Sequence, residues 1–187
     1  MQREQLKILL LQIRDDHKVR AEELESFARY SQLDVNQIDV LNVFDTPSFD
    51  SSVLEGYDAL YVGGASEANV LEPKIYPFVN DCISLIKFAG DTGIPTFASC
   101  FGFQLAVLAF GGEILSKDED YEMGSIPITL TNLATIDPVF SGTPDKFPAL
   151  SIHRQYALEL PAGLDLLAYT SDSVSYTHLR AHETTNY

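Results

Sequence analysis

The chain has 187 residues, 45% of them apolar, with 12 basic and 27 acidic side chains and a formal charge of −15. That length suits one domain able to bury a substantial core, and the composition is that of an ordinary globular protein. The acidity argues against a nucleic-acid partner, because a polyphosphate backbone is bound by basic surface. At the N-terminus, MQREQLKILLLQI is interrupted by Arg14, Asp15 and Asp16 too early to span a membrane, and it lacks a small-residue cleavage site. Two cysteines in unlike contexts, Cys82 and Cys100, make no disulfide framework. A reducing, cytoplasmic setting and no membrane partner are therefore expected.

In chain order, LKILLLQI (6–13) is a continuous apolar run of strand length, the mark of a strand buried on both faces. HKVRAEELESFARYSQL (17–33) has helical spacing, with Val19, Leu24, Phe27 and Ala28 on its apolar side. VNQIDVLNVF (35–44) and YDALYVGG (57–64) read as strands. PKIYPFVNDCISLIKFAGDTG (73–93) reads as a helix with Ile75, Phe78, Val79, Cys82, Ile83 and Ile86 on one face. IPTFAS (94–99) is a strand, and a helix runs from about Gly102 to Phe110, stopped by Gly111–Gly112. This alternation predicts an α/β domain with a doubly wound, mostly parallel sheet and helices on both faces, in flavodoxin-like layers. The pattern then changes to the strands 112–115, 124–131, 149–153 and 164–170, joined by loops rich in Pro, Gly and Asp. VSYTHLRAHETTNY (174–187) has no apolar face and resembles a translated sequencing-adapter read-through. The expectation is one C-terminally incomplete domain over 1–172 and a non-native tail over 173–187.

The stretch TFASCFGFQ carries the chemistry. A strand that ends in small-x-Cys-x-Gly and opens straight into a helix has the form of a nucleophile elbow. The turn is sharp, so the residues two before and two after the nucleophile must be small, and Ala98 and Gly102 are. Cys100 would then stand at a helix N-terminus, where backbone dipoles favour the thiolate. Cys82, mid-helix on an apolar face, reads as buried and inert. An attacking thiolate needs oxyanion donors. The Phe101 N–H is one, and Gly63–Gly64, closing a predicted strand, would leave further N–H groups free.

These pieces resemble a class I, triad-type glutamine amidotransferase domain of the stand-alone, GMP-synthase-like branch. The resemblance runs from Leu6 to Thr170 through YDALYVGGAS, GIPTFASCFGFQLAVLAFGGEI, EMGSIPITLT and the run from His153 through ELPAGLDLLA. It implies Cys100 as nucleophile, the Gly64 and Phe101 N–H groups around the oxyanion, and Gly63, Gln104 and His153 on the substrate side. Two positions depart from the usual pattern: Ala98 replaces the motif's first glycine, and Phe103 the histidine before the glutamine.

The family's base and its orienting partner come as a His-x-Glu motif, and this chain has none. His17 reads as a surface residue at a helix start. His178 and His182, with Glu183 adjacent, have the spacing of a metal pair but belong to the suspect tail, so no metal is expected. The acidic loop KDEDYE (117–122) reads as a solvated face, with Glu122–Gly124 beside the active-site rim by resemblance. No phosphate-cradling loop or dinucleotide fingerprint is present, so no cofactor is expected. The expected activity is hydrolysis of the glutamine side-chain amide through a γ-glutamyl thioester, releasing ammonia to an unknown synthetase or acceptor partner. The alternatives are a γ-glutamyl peptide hydrolase of the same fold and a catalytically dead binding protein. This chain, without its dyad, is expected to be nearly inactive.

Overall fold

A computed structural model describes residues 2–116, 122–157, 161, 163–170 and 176–181. The chain divides into two compact units, 1–109 and 110–187. The first unit begins with β1 (Ile8–Gln12), every residue of which is buried. α1 (His17–Ser31) follows, capped by the Asp16 carboxylate, which accepts from the Lys18 and Val19 N–H groups. Then come β2 (Ile38–Asn42), β3 (Ala59–Val62), α2 (Phe78–Thr92), β4 (Thr96–Ala98) and α3 (Phe101–Ala109).

These strands form one parallel sheet in the order β2-β1-β3-β4, with Ile8 opposite both Ile38 and Ala59. Alternation puts Ile8 and Leu10 on one face, where they pack with Ala28, Leu24 and Phe27 of α1. Leu9 and Leu11 face the other way and are equally buried. From β1 the chain winds outward through α1 to β2, then returns past β1 to β3 and winds the opposite way through α2 to β4. Right-handed crossovers in opposite directions place α1 and α2 on opposite faces. The winding reverses between β1 and β3, and the crevice at the carboxyl ends of those strands is where such sheets hold ligands. The outer edge of β4 has no partner among the described strands, and its Phe97 is 53% exposed.

The expected helix over 73–93 starts late. Pro77 occupies the N-cap of α2, and Ile75 lies outside the helix and 64% exposed instead of on its apolar face. The reason is steric: a proline four residues inside a helix would clash with the preceding turn, whereas at its start it costs nothing. On the rest of that face Phe78, Val79, Cys82 and Ile86 are buried as the periodicity predicts, and Ile83 is half-buried. Likewise 35–37 forms a 3₁₀ turn closed by an Asp34–Gln37 capping box, so the second strand starts at Ile38.

Burial drives the Cys82 thiol far above its ordinary value, with the Asp81 carboxylate adding to the rise. In the folded protein Cys82 stays protonated where an unfolded cysteine ionises, above about pH 8.5. Its contribution to stability is thus complete below that pH and is lost as pH rises. Between about pH 8.5 and 9.5 the unfolding free energy should fall by about 1 kcal/mol. Denaturant titrations of Cys82→Ala across the same interval should lack that component.

The second unit is antiparallel. β5 (Ile114–Ser116) pairs with β8 (Gln155–Ala157), and β6 (Glu122–Leu130), β7 (Lys146–His153), β9 (Leu164–Tyr169) and β10 (Tyr176–Ala181) form a sheet in the order β10-β9-β6-β7. Ile128, Ala134, Phe140, Leu167 and Ala168 make its core. Pro127 faces Pro148 in the β6–β7 register, a pairing a ladder tolerates only where neither residue is asked for an N–H. β10 lies in the stretch read as a non-native tail. It pairs with β9 through register shifts at His178, using backbone groups that any sequence supplies. His182 and Glu183 lie outside the described residues.

Candidate active site

Cys100 stands between β4 and α3 with φ +52, one of two non-glycine residues in the left-handed region among the described residues. A residue with a Cβ held there stores strain of about 1–3 kcal/mol and persists only where its surroundings impose it. Here the surroundings are hydrogen bonds on both sides of the turn. Ser99 N–H donates to Val62 O at 3.0 Å, Gly102 N–H lies 3.2 Å from Gly63 O and 2.9 Å from Ser99 O, and Gln104 N–H donates to Cys100 O at 3.1 Å. The turn is thereby tied to the end of β3 on one side and to the first turn of α3 on the other. A Cβ on Gly102 would stand 2.8 Å from both Cγ1 and the carbonyl oxygen of Val62, which is why only glycine fits two residues after the thiol. The result is an exposed thiol on a buried support.

The glycines that close β3 differ in role. Gly63 N–H donates to Leu11 O at 3.0 Å, continuing the sheet, so the expectation that both glycines leave free N–H groups is corrected at Gly63. No described residue accepts from the N–H of Gly64 or of Phe101. A Cβ on Gly64 would lie 3.5 Å from Cys100 Cβ, so this glycine adjoins the nucleophile's side chain. Phe101 opens α3, where the first N–H groups have no partner within the helix. Gln104 lies one turn beyond Cys100, buried, with its Oε1 unpartnered among the described residues. His153 ends β7 opposite Glu122 in the second unit. His17 opens α1 and is exposed.

A cavity of about 610 Å³ in the first unit reaches Cys100, Ser99 and Gly64. Its far wall is aromatic, with Phe27 stacked on Tyr61 at 5.3 Å and Phe97 edge-on to both at 6.1 Å. His17, the histidine whose side chain is described, does not line it. Its polar corner is Arg14 and Glu23, neither of which the sequence pattern marks as a site residue. Arg14 Nε donates to Glu23 Oε1 at 2.9 Å, and Nη1 donates to Ser66 Oγ at 2.9 Å. The available signal was position: a charged residue just past the first buried strand stands where a parallel sheet opens its crevice. Among the described residues, no group of three or more His, Cys, Asp or Glu side chains is placed to hold a metal ion, and no helix is long and apolar enough to cross a membrane.

The sequence profile of glutamine amidotransferase class-I matches residues 32–187. The chain is 29% identical over 154 residues, 79% of its length, to GMP synthase (glutamine-hydrolyzing) of Tropheryma whipplei strain Twist. It is 35% identical over 82 residues, 44% of its length, to GMP synthase (glutamine-hydrolyzing) of Borrelia garinii subsp. bavariensis. It covers only 28% of the Tropheryma protein and 15% of the Borrelia one. A glutamine amidotransferase from Thermotoga maritima superimposes with a TM-score of 0.72 over 93% of this chain and 73% of the other, at 18% identity, which bears on the fold alone. The profile match over most of the sequence, with the parallel sheet and its cysteine elbow, establishes that the chain belongs to the class-I glutamine amidotransferase family.

Proposed function

We propose that the chain hydrolyses the side-chain amide of glutamine through Cys100. The thiolate attacks the amide carbon, the oxyanion rests on the N–H groups of Gly64 and Phe101, and the C–N bond breaks as the nitrogen takes up a proton and leaves as ammonia. Water then splits the γ-glutamyl thioester to glutamate and the free thiol. The observation that carries this reading is the strained φ of Cys100 beside two N–H groups that no described residue accepts from. Gln104 and His153 belong to the substrate side in this reading, and Gly63 serves by letting the Glu23 carboxylate approach its Cα. The ammonia goes to a synthetase or acceptor partner in the cytoplasm, a role suggested by relatives that carry the name GMP synthase.

Because the sequence carries no His-x-Glu motif, steady turnover by these 187 residues should fall below that of an intact triad by on the order of 10⁴. Acylation is therefore the step to follow. Incubation with glutamine should add one glutamyl group to Cys100, seen by mass spectrometry of acid-quenched peptide and absent from Cys100→Ala. No adduct on the parent, with the thiol alkylatable, would leave the binding-protein reading standing. The aromatic wall favours a second reading, a γ-glutamyl amide with a larger leaving amine, since ammonia needs no such surface. Faster acylation by a γ-glutamyl arylamide than by glutamine would select it.

A further inference from the structure

We propose that β4 is an interface strand: two copies of this chain pair edge to edge through Thr96–Ala98, antiparallel, about a two-fold axis at Phe97. The pairing uses backbone groups of the first unit alone and is independent of the chemistry at Cys100.

The direction of each backbone group along β4 follows from its bonds to β3. Leu60 N–H donates to Pro95 O at 2.9 Å, and Ser99 N–H donates to Val62 O at 3.0 Å. Peptide groups alternate along a strand, so Pro95, Phe97 and Ser99 turn theirs toward β3, and Thr96 and Ala98 turn theirs to the outer edge. No described strand pairs with them there, because β4 ends its sheet. Thr96 and Phe97 are exposed and Ala98 is half-buried. Pro95 costs this edge nothing, since the N–H it lacks would have pointed inward. The other outer strands of the two four-stranded sheets carry residues that resist pairing: Asp39 in β2, Lys146 and Pro148 in β7, and Arg180 in β10. β4 holds neither a charge nor a proline.

The spacing of the open groups selects a second copy, and in one register. Antiparallel strands alternate between pairs that exchange two hydrogen bonds and closer pairs that exchange none. With the axis at Phe97, Thr96 faces the partner's Ala98 and Ala98 faces the partner's Thr96. Every outward N–H and C=O of both strands is then used. Phe97 meets the partner's Phe97 in the close, unbonded pair, with Cβ atoms about 4.5–5.5 Å apart. Each of these rings is already edge-on to Phe27 and Tyr61 at 6.1 Å, so the two aromatic clusters join across the axis. Charge opposes the pairing, because each copy carries −15, and screening by salt relieves it. A three-residue edge also falls below the roughly 1,200 Å² of lasting interfaces, so the dimer exchanges with monomer.

Sedimentation equilibrium of the 187-residue chain, up to about 0.1 mM where weak interfaces populate, should show monomer and dimer in exchange. The dimer should strengthen between about 0.1 and 1 M salt, as the Debye length falls from about 10 to about 3 Å. Thr96→Pro removes one outward N–H and no bond to β3. It should raise the dimer dissociation constant about 5- to 100-fold, for two hydrogen bonds lost per dimer. Phe97→Cys in a Cys100→Ala background puts two thiols on the axis within disulfide reach. Oxidised glutathione should link that variant into a dimer, the two thiols giving up two electrons and two protons as glutathione disulfide is reduced to two thiols. Cys82 is buried and takes no part. Thr96→Cys in the same background lies opposite Ala98, out of reach of its own copy, and should stay unlinked. A chain that is monomeric at every concentration and salt overturns the interface. So does a dimer that Thr96→Pro leaves unweakened and Phe97→Cys fails to link, and so does equal linking of the two cysteine variants.

Discussion

Gly102→Ala is expected to lower the unfolding free energy by about 1–3 kcal/mol, the range for forcing a methyl group into a packed contact. In an ordinary helix the substitution would help, because alanine is favoured over glycine by about 1 kcal/mol. Here the new Cβ would stand 2.8 Å from the Val62 side chain and 2.8 Å from the Val62 carbonyl oxygen. The side chain can turn away, but the carbonyl belongs to β3 and accepts the Ser99 N–H, so α3 has to move. That movement also carries off the Phe101 N–H, and the rate of Cys100 acylation should fall with stability. Urea midpoints for Gly102→Ala, Val62→Ala and the double variant form a cycle that isolates the contact. Removing Cγ1 should return part of the loss, and the part that stays is due to the carbonyl oxygen and to the Val62 Cβ, 2.9 Å from the new methyl group. A Gly102→Ala protein as stable as the parent would mean that the close approach to β3 is not required.

Cys100→Gly is expected to abolish thioester formation and at the same time to raise stability by about 1 kcal/mol. The gain comes from relief of the left-handed backbone, worth about 1–3 kcal/mol to a residue with a Cβ, less about 0.5–1 kcal/mol for the extra freedom glycine brings to the unfolded chain. The thiol is exposed, so little burial is lost with it. Cys100→Ala removes the same chemistry and keeps the strain. It therefore serves as the reference, and the difference in stability between the two variants reads the strain less the entropy cost of glycine. A glycine variant no more stable than the alanine variant would show that the strain on Cys100 is no larger than the entropy cost of glycine, about 0.5–1 kcal/mol. The predicted trade, stability given up to aim a nucleophile, is the usual one at a functional turn.

Much of this protein can be derived from local pattern. A fully apolar run at 6–13 has no solvent face to offer, so a strand buried on both sides is the outcome. A cysteine on the apolar stripe of 78–92 has to be inert, and small residues around Cys100 mark a sharp turn. Each of these depends on neighbours within a few positions, where sterics and periodicity act. Pro77 shows the same rule missed rather than broken, for the sign that the helix could not run on from residue 73 was in plain view.

Other features depend on which segments meet, and no local pattern contains that. The order β2-β1-β3-β4 decides that Gly63 donates its N–H to Leu11 while Gly64 keeps its own open. The reversal of winding between β1 and β3 brings Arg14, at the end of the first strand, to Gly64 and Cys100, far along the chain. In sequence Arg14 was only a charge that cut short an apolar run. Its chemical meaning arises from parallel pairing, which aligns the carboxyl ends of distant strands and gathers the residues just beyond them into one crevice.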